Sequence, residues 1–321
     1  MSLPKGFVPG LAVLALLLPG ADGGGAAAAA DGQTTSAPLE FTVLGSGGPG
    51  ATGRAASSYL VLLEGIPRIL VDCGPGAFAR LGEAKLSLSQ TDIVLLTHLH
   101  IDHAGELPGL FKARAVSSAG PIVFNVWGPE GSRAPSQEAY FPSTSRFLHL
   151  LFGPTGAFAY LSDFSAPMTL QAHDLSAGVI HGALPQAIFQ HGGLVISAIA
   201  GHHGDAPAVI YRIDYAGRSV TFSGDIDATG LPNLRRIAQG TDLLVFNSVV
   251  LDPPESPAVL YTLHTPPHAI GKLAQEAGVH GLLLSHLSPA TEAMHEAVLQ
   301  SIRQSYVGPV RFAEDGLRVK P

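Results

Sequence analysis

Apolar residues along this chain gather in short runs separated by glycine, proline and small polar residues, the spacing of buried strands more than of long helices. Residues 40–44, 59–63 and 68–71 predict three strands, and residues 77–81 open a helix. Residues 92–97 predict a further strand, and 121–126 another. The pattern then breaks. Between residues 129 and 167 the aromatic side chains Tyr140, Phe141, Phe147, Phe152, Phe158 and Tyr160 follow neither period, which reads as a lid or pocket wall with a short helical part, a core-packing insertion, or a partner surface. A second block predicts strands at 194–200, 208–214 and 219–222, with a turn over 215–218, a helix at 231–238, a strand at 243–246, a helix at 268–277 and a strand at 281–284. A final amphipathic helix is expected over 291–304, followed by a hairpin pairing 310–312 with 317–319 around Glu314, Asp315 and Gly316. Two successive blocks of strands, each with its own helices, predict two sheets with helices outside them, an αββα order in a single domain over residues 36–321.

The first residues carry a different pattern. Lys5 precedes an apolar run over 7–18, after which come Pro19, Gly20 and a Gly- and Ala-rich stretch. That arrangement predicts a signal peptide with a low-complexity lead over residues 1–30, and a periplasmic or secreted protein. The run is too short and too interrupted by glycine for a stable membrane span. Cys73 is the sole cysteine, so no intrachain disulfide forms. It follows the strand 68–71 and reads as a small buried residue, with a reactive thiol as the rival role.

Composition narrows the class. The chain has 321 residues, enough to bury a large core, and only 13% of them are charged against 46% hydrophobic, which excludes a solvated disordered chain. A formal net charge of −7 argues against gripping a long phosphate backbone. It leaves room for a small phosphodiester whose charge is met locally.

The chemistry concentrates at the end of strand 92–97. His98, His100, Asp102 and His103 place four imidazole or carboxylate donors within six residues, ligand types suited to zinc or a similar divalent ion. Strand-end candidates recur at His202 and His203, at Asp225 with Asp227 close by, and at His286.

The segment His98-Leu99-His100-Ile101-Asp102-His103, with Gly45-Ser46-Gly47, Asp72-Cys73-Gly74, Ser223-Gly224-Asp225 and Ser285-His286-Leu287, resembles the metallo-beta-lactamase fold superfamily, in its ribonuclease Z-like and phosphodiesterase or arylsulfatase-like branch. The resemblance runs from about residue 40 to the C-terminus. It implies a four-layer αββα sandwich with two zinc ions, manganese or iron being the rivals. By the same resemblance one ion falls to His98, His100 and His203, and the other to Asp102, His103 and His286, with Asp225 shared. His203 matches the third histidine of the family pattern better than His202, which stays the rival or an outer histidine, and Asp225 matches better than Asp227. The resemblance further implies a water or hydroxide activated between the ions, oriented by Asp102. His264, in a His264-Thr265 segment similar to one that precedes the last ligand, would then assist cleavage without holding a metal.

These features predict a metal-dependent hydrolase acting on a small phosphodiester or related ester. Lactone, lactam and sulfate-ester hydrolysis are the nearer alternatives, and a noncatalytic, metal-stabilised binding module the distant one. The basic arm by which ribonuclease Z grips transfer RNA has no counterpart in the sequence. A small-molecule substrate is therefore expected. The oligomeric state stays open, with a homodimer among the options.

Overall fold

Both faces of nearly every central strand are buried, and this explains why the apolar runs are continuous instead of alternating. In the strands β1 (Leu39–Gly45), β2 (Ser58–Leu63), β3 (Ile66–Val71) and β4 (Ile93–Leu95), the residues Phe41, Tyr59, Val61, Ile69, Val71, Ile93 and Leu95 turn to one core. Their neighbours Leu44, Leu60, Leu70 and Val94 turn to another. Period-two geometry thus divides each strand between an inner layer and an outer one. The computed structural model describes residues 37–50, 52–133, 140–164, 166–175 and 184–321, and residues Ser36–Pro321 form one compact unit. The predicted leader lies outside the described residues.

After β4 come β5 (Ile122–Pro129), the short pair β6 (Ser132–Arg133) and β7 (Tyr140–Phe141), and β8 (Met168–Leu175). The second block contains β9 (Gln186–His191), β10 (Leu194–Ala200), β11 (Val209–Tyr215), β12 (Arg218–Phe222), β13 (Leu243–Asn247), β14 (Leu282–Ser285), β15 (Val310–Phe312) and β16 (Arg318–Val319). Among the described residues these build two seven-stranded sheets, ordered β16-β1-β2-β3-β4-β5-β8 and β15-β14-β13-β12-β11-β10-β9. Each sheet begins antiparallel and becomes parallel, from β3 onward in the first and from β12 onward in the second.

Parallel neighbours need crossovers, and those crossovers are the helices. The first block supplies α1 (Ala77–Glu83), α2 (Ile101–Ala104), α3 (Leu107–Val116) and α4 (Thr144–Phe152). The second supplies α5 (Leu231–Ile237), α6 (Pro267–Glu276), α7 (Pro289–Ala293) and α8 (His295–Arg303). Leu81, Leu107, Phe111, Leu148 and Phe152 cover the outer face of the first sheet, and Leu234, Ile270, Leu273, Val298 and Ile302 cover that of the second. The result is the expected four-layer αββα sandwich.

The aromatic stretch divides its work. Phe152 is buried in the outer core of the first sheet, while Phe147 and Phe158 are only partly covered by it. Two edge strands, β8 and β9, were not expected; their polar composition hides the strand period, because an edge strand meets solvent on several sides. The last helix is not continuous. It breaks at Met294 (φ −120°, ψ 33°) into α7 and α8, since Thr291 Oγ1 ties α7 to Ser248 O while α8 buries Val298 and Ile302 elsewhere.

The expected C-terminal hairpin is corrected as well. β15 pairs with β14 and β16 pairs with β1, so the segment between them crosses from one sheet to the other. Asp315 sets that crossing: its carboxylate accepts hydrogen bonds from Ser46 N, Ser46 Oγ, Ala55 N and Arg80 Nε, all in the first block.

The two sheets meet around Phe41, Tyr59 and Phe222, whose ring centroids lie 5.2–6.2 Å apart. Phe222 is fully buried at the base of the strand that leads to Asp225. Phe222→Ala is expected to destabilise the protein by about 3–5 kcal/mol through lost transfer energy and a residual cavity, read as a lower midpoint at unchanged slope in urea unfolding. A loss under about 1 kcal/mol would mean that this contact does not join the sheets.

Candidate metal centre

The candidate ligands other than His264 come from the segments that follow strand ends, and both sheets contribute. His98 and His100 follow β4, and Asp102 and His103 lie on α2. His203 follows β10, Asp225 follows β12 and His286 follows β14, while His264 comes from the loop before α6. The sheets are locked together at this edge. Val209 N donates to Thr97 O at 2.8 Å, and the Tyr211 hydroxyl donates to Leu96 O at 3.0 Å. Gly224 stands at φ +58° where a Cβ would come within 2.7 Å of Thr97 Cβ, so glycine is required both by its backbone and by the close approach. At Gly74 a Cβ would lie 2.2 Å from Asp102 O.

One oxygen organises the site. Asp225 Oδ2 lies 3.6 Å from His103 Nε2, 3.6 Å from His286 Nε2, 3.7 Å from His203 Nε2, and 4.0 Å from both His98 Nε2 and His264 Nδ1. Its other oxygen accepts a hydrogen bond from Asn247 Nδ2 at 2.8 Å. Asp102 Oδ2 sits 3.1 Å from His286 Nε2 and 3.7 Å from His103 Nε2. The half-buried His100 completes a ring trio, with its centroid 4.7 Å from His98 and 5.1 Å from His203. Two sets of donors result, His98 with His100 and His203, and Asp102 with His103, Asp225 and His286, the atoms of each lying within 4.8 Å of one another. His203, Asp225 and His264 form a third such set.

Acceptors behind the imidazoles fix which nitrogen faces inward. His103 Nδ1 donates to Asp72 Oδ2 at 2.8 Å, leaving Nε2 for the site, and His203 Nδ1 donates to Leu263 O at 2.8 Å with the same effect. Asp72 also accepts from Thr97 N and Thr97 Oγ1, both at 2.8 Å, so one carboxylate holds the ligand segment by backbone and side chain together. Asp72 and His286 occupy left-handed backbone conformations, φ +54° and +55°, strain of a kind that surrounding structure must hold in place.

The electrostatics are divided. Burial, reinforced by the neighbouring His103, pushes the His98 imidazole well below its usual range, and burial with His203 lowers His100. Burial also opposes charge on His103, but the carboxylates of Asp72 and Asp225 outweigh it and raise that imidazole well above the usual value. Asp225 is held well below the ordinary carboxylate range, its burial overcome by His286 and His103. Nε2 of His98, Nε2 of His103 and Nδ1 of His264 are buried without a hydrogen-bond partner. Buried nitrogens left this way are rare in folded proteins, and several of them facing one carboxylate fit a divalent cation.

The structure separates the paired sequence candidates. His203 is buried in the cluster, whereas His202 is turned out, its side chain 44% exposed and its Nδ1 2.7 Å from Asp227 Oδ2. Asp227 thus serves the loop and not the cluster. His268 pairs with Asp252, away from the cluster. Cys73 is fully buried, and burial drives its thiol well above the usual range, which leaves it protonated. Asp72, Asn247 and the Leu263 carbonyl were missed as supports; a carboxylate at the end of β3 was the one trace of them in the sequence.

A beta-lactamase superfamily domain matches residues 67–287. Ribonuclease Z of Mycobacterium sp. (strain KMS) is 27% identical over 266 residues, covering 81% of this chain and 87% of that protein. Ribonuclease Z of Mycobacterium marinum (strain ATCC BAA-535 / M) is 26% identical over 291 residues, covering 88% and 98%. Among solved structures, the short form of human tRNase Z aligns at TM-score 0.62 and 22% identity over 88% of this chain and 98% of its own. Zn(2+)-bound PqqB from Methylobacterium extorquens aligns at TM-score 0.59 and 14% identity over 88% and 100%. With its two-sheet sandwich and clustered strand-end histidines and aspartates, the chain belongs to the beta-lactamase superfamily.

Proposed function

We propose that this protein is a dinuclear zinc-dependent hydrolase of small phosphodiesters or related esters. The observation that carries the reading is the convergence of five imidazoles from both sheets on Asp225 Oδ2, with three of the nitrogens that face it, those of His98, His103 and His264, buried and unpartnered. His98, His100 and His203 would hold one cation, Asp102, His103 and His286 the other, and Asp225 both. Such a pair of cations lowers the pKa of water and withdraws charge from a substrate oxygen. Asp102, buried beside His286, orients the attacking water and accepts its proton.

His264 acts on the leaving side. Burial lowers its imidazole to about 4, so near neutral pH it is uncharged and helps by donating an N–H hydrogen bond to the departing oxygen. Small substrates are favoured by charge. From residue 129 to residue 191 the chain carries two cationic side chains, Arg133 and Arg146, against the acids Glu130, Glu138, Asp163 and Asp174. A ribonucleic acid substrate, as the names of the relatives suggest, would need a basic surface that this segment does not supply. No described helix is long and apolar enough to cross a membrane. Export to the periplasm or the medium, read from the leader, belongs to the same proposal.

Elemental analysis of the loaded protein should find two divalent ions per chain, and His98→Ala or Asp225→Ala should lower occupancy and turnover together. Asp72→Asn should weaken metal affinity by roughly 10–100-fold while the fold persists. A panel of phosphodiester, sulfate-ester, lactone, lactam and precursor transfer RNA substrates should show turnover of a small phosphodiester that Asp102→Ala abolishes. Turnover confined to the RNA would defeat the substrate reading, and a single tightly held ion would defeat the metal arrangement.

His264→Ala should keep both ions yet slow the chemical step by roughly 10²-fold on poor leaving groups, and much less on good ones. Loss of an ion in this variant would instead make His264 a ligand, in the set it forms with His203 and Asp225. Sequencing the N-terminus of protein from native cells should place the mature start after the Gly- and Ala-rich lead; intact residues 1–30 on cytoplasmic protein would refute export.

A further inference from the structure

A cavity of about 640 Å³ lies on the other side of the ligand segment, and nothing in the proposed chemistry uses it. Its wall includes Leu99, Ile101, Ala104 and Gly105, which interleave with His98, His100, Asp102 and His103 along the chain. The opposite wall comes from Phe147 and Leu151 of α4 with Phe158 and Tyr160 beyond it. Helix α4 itself starts beside the metal centre, because Phe141 just before it has its ring 6.2 Å from that of His100. Site and cavity thus share structural elements on two sides.

The lining has the character of a ligand site. The volume falls within the range of small-molecule pockets, and the surface is largely hydrocarbon. Of its two charged residues, Glu106 is occupied structurally, its Oε2 accepting from Gly76 N at 2.8 Å. Lys112 is different. Its Nζ stands 5.6 Å from the Tyr160 ring centre and 5.1 Å from that of Phe164, and it forms no ion pair among the described residues. The rings stabilise the cation at the mouth without using up its N–H donors. Ile101 is 77% exposed, and Tyr160 and Phe164 are each nearly half exposed, so the rim is an apolar surface facing water around one cation. The cavity of about 400 Å³ beside α5 and α6 differs, with Arg235 and Lys272 both paired with Glu276.

We propose that this pocket binds a small amphipathic anion, its alkyl or aryl body between Ile101, Phe147, Leu151 and Phe158 and its acidic group on Lys112. The same chemistry suits either a hydrocarbon substituent of the substrate or a separate ligand. The site stands independently of the proposed hydrolysis, because it is read by binding.

Calorimetric titration of the full chain with sodium octanoate, and with octanamide as the neutral analogue, tests it. Octanoate should bind at one site per chain. Lys112→Gln, a change at an exposed position, should weaken octanoate roughly fivefold, the size of one exposed ion pair, and leave octanamide unaltered. Leu151→Trp should fill the pocket and remove both, with circular dichroism confirming the fold. Inhibition by octanoate of long-chain but not methyl esters would assign the pocket to the substrate, and binding without kinetic effect would assign it to a separate ligand. Octanoate binding indifferent to both substitutions would overturn the proposal. So would a dimer in sedimentation equilibrium that Ile101→Lys dissociates, since the apolar face would then be covered by a second copy of the chain.

Discussion

The burial of Asp225 among imidazoles is the constraint on which the rest depends. A carboxylate removed from water must be compensated, and here the compensation comes from His103 and His286 and from the Asn247 amide on its other oxygen. None of these partners is near it in sequence. Their meeting requires the two sheets to approach within the tolerance set by Gly224 against Thr97, and the hydrogen bonds from Val209 and Tyr211 to the ligand segment hold that approach. The sandwich is therefore organised around a polar junction at one edge as much as around the apolar layer of Phe41, Tyr59 and Phe222 below it.

That junction is supported from behind. Asp72 binds His103, Thr97 Oγ1 and Thr97 N, so it controls the tautomer of one histidine and the path of the segment carrying four candidate ligands. The Leu263 carbonyl does the same for His203 and ties the His264 loop to the cluster. Strained backbone at Asp72 and His286 fits this picture, because both residues leave parallel strands abruptly in order to aim a side chain. The segment from His98 to His103 then has two sides, a polar one toward Asp225 and an apolar one toward the cavity beside α4.

Local chemistry was readable wherever one element carried it alone. The alternation of β1 to β4 residues between two cores and the turn after β11 follow from period-two geometry and from the Ala216–Gly217 pair in left-handed backbone. Reading stopped at edges and crossings. β8 and β9 present polar residues because each is an edge, and β15 and β16 look like one hairpin in sequence although Asp315 draws them to opposite sheets. The split of the last helix at Met294 likewise depends on docking surfaces that no helical period records.

By itself the sequence determined the layer order, through apolar runs long enough to bury both strand faces, and the chemical class of the site, through donors crowded at strand ends. Tertiary structure decided which donors meet. His202 and His203 are adjacent and chemically identical, yet successive side chains leave the end of β10 in different directions, so one reaches Asp225 and the other pairs with Asp227. The supports at Asp72, Asn247 and Leu263, and the cavity between the ligand segment and α4, exist only once distant segments are packed together. Distances of a few ångströms between residues far apart in the chain are a property of packing, and a linear pattern does not contain them.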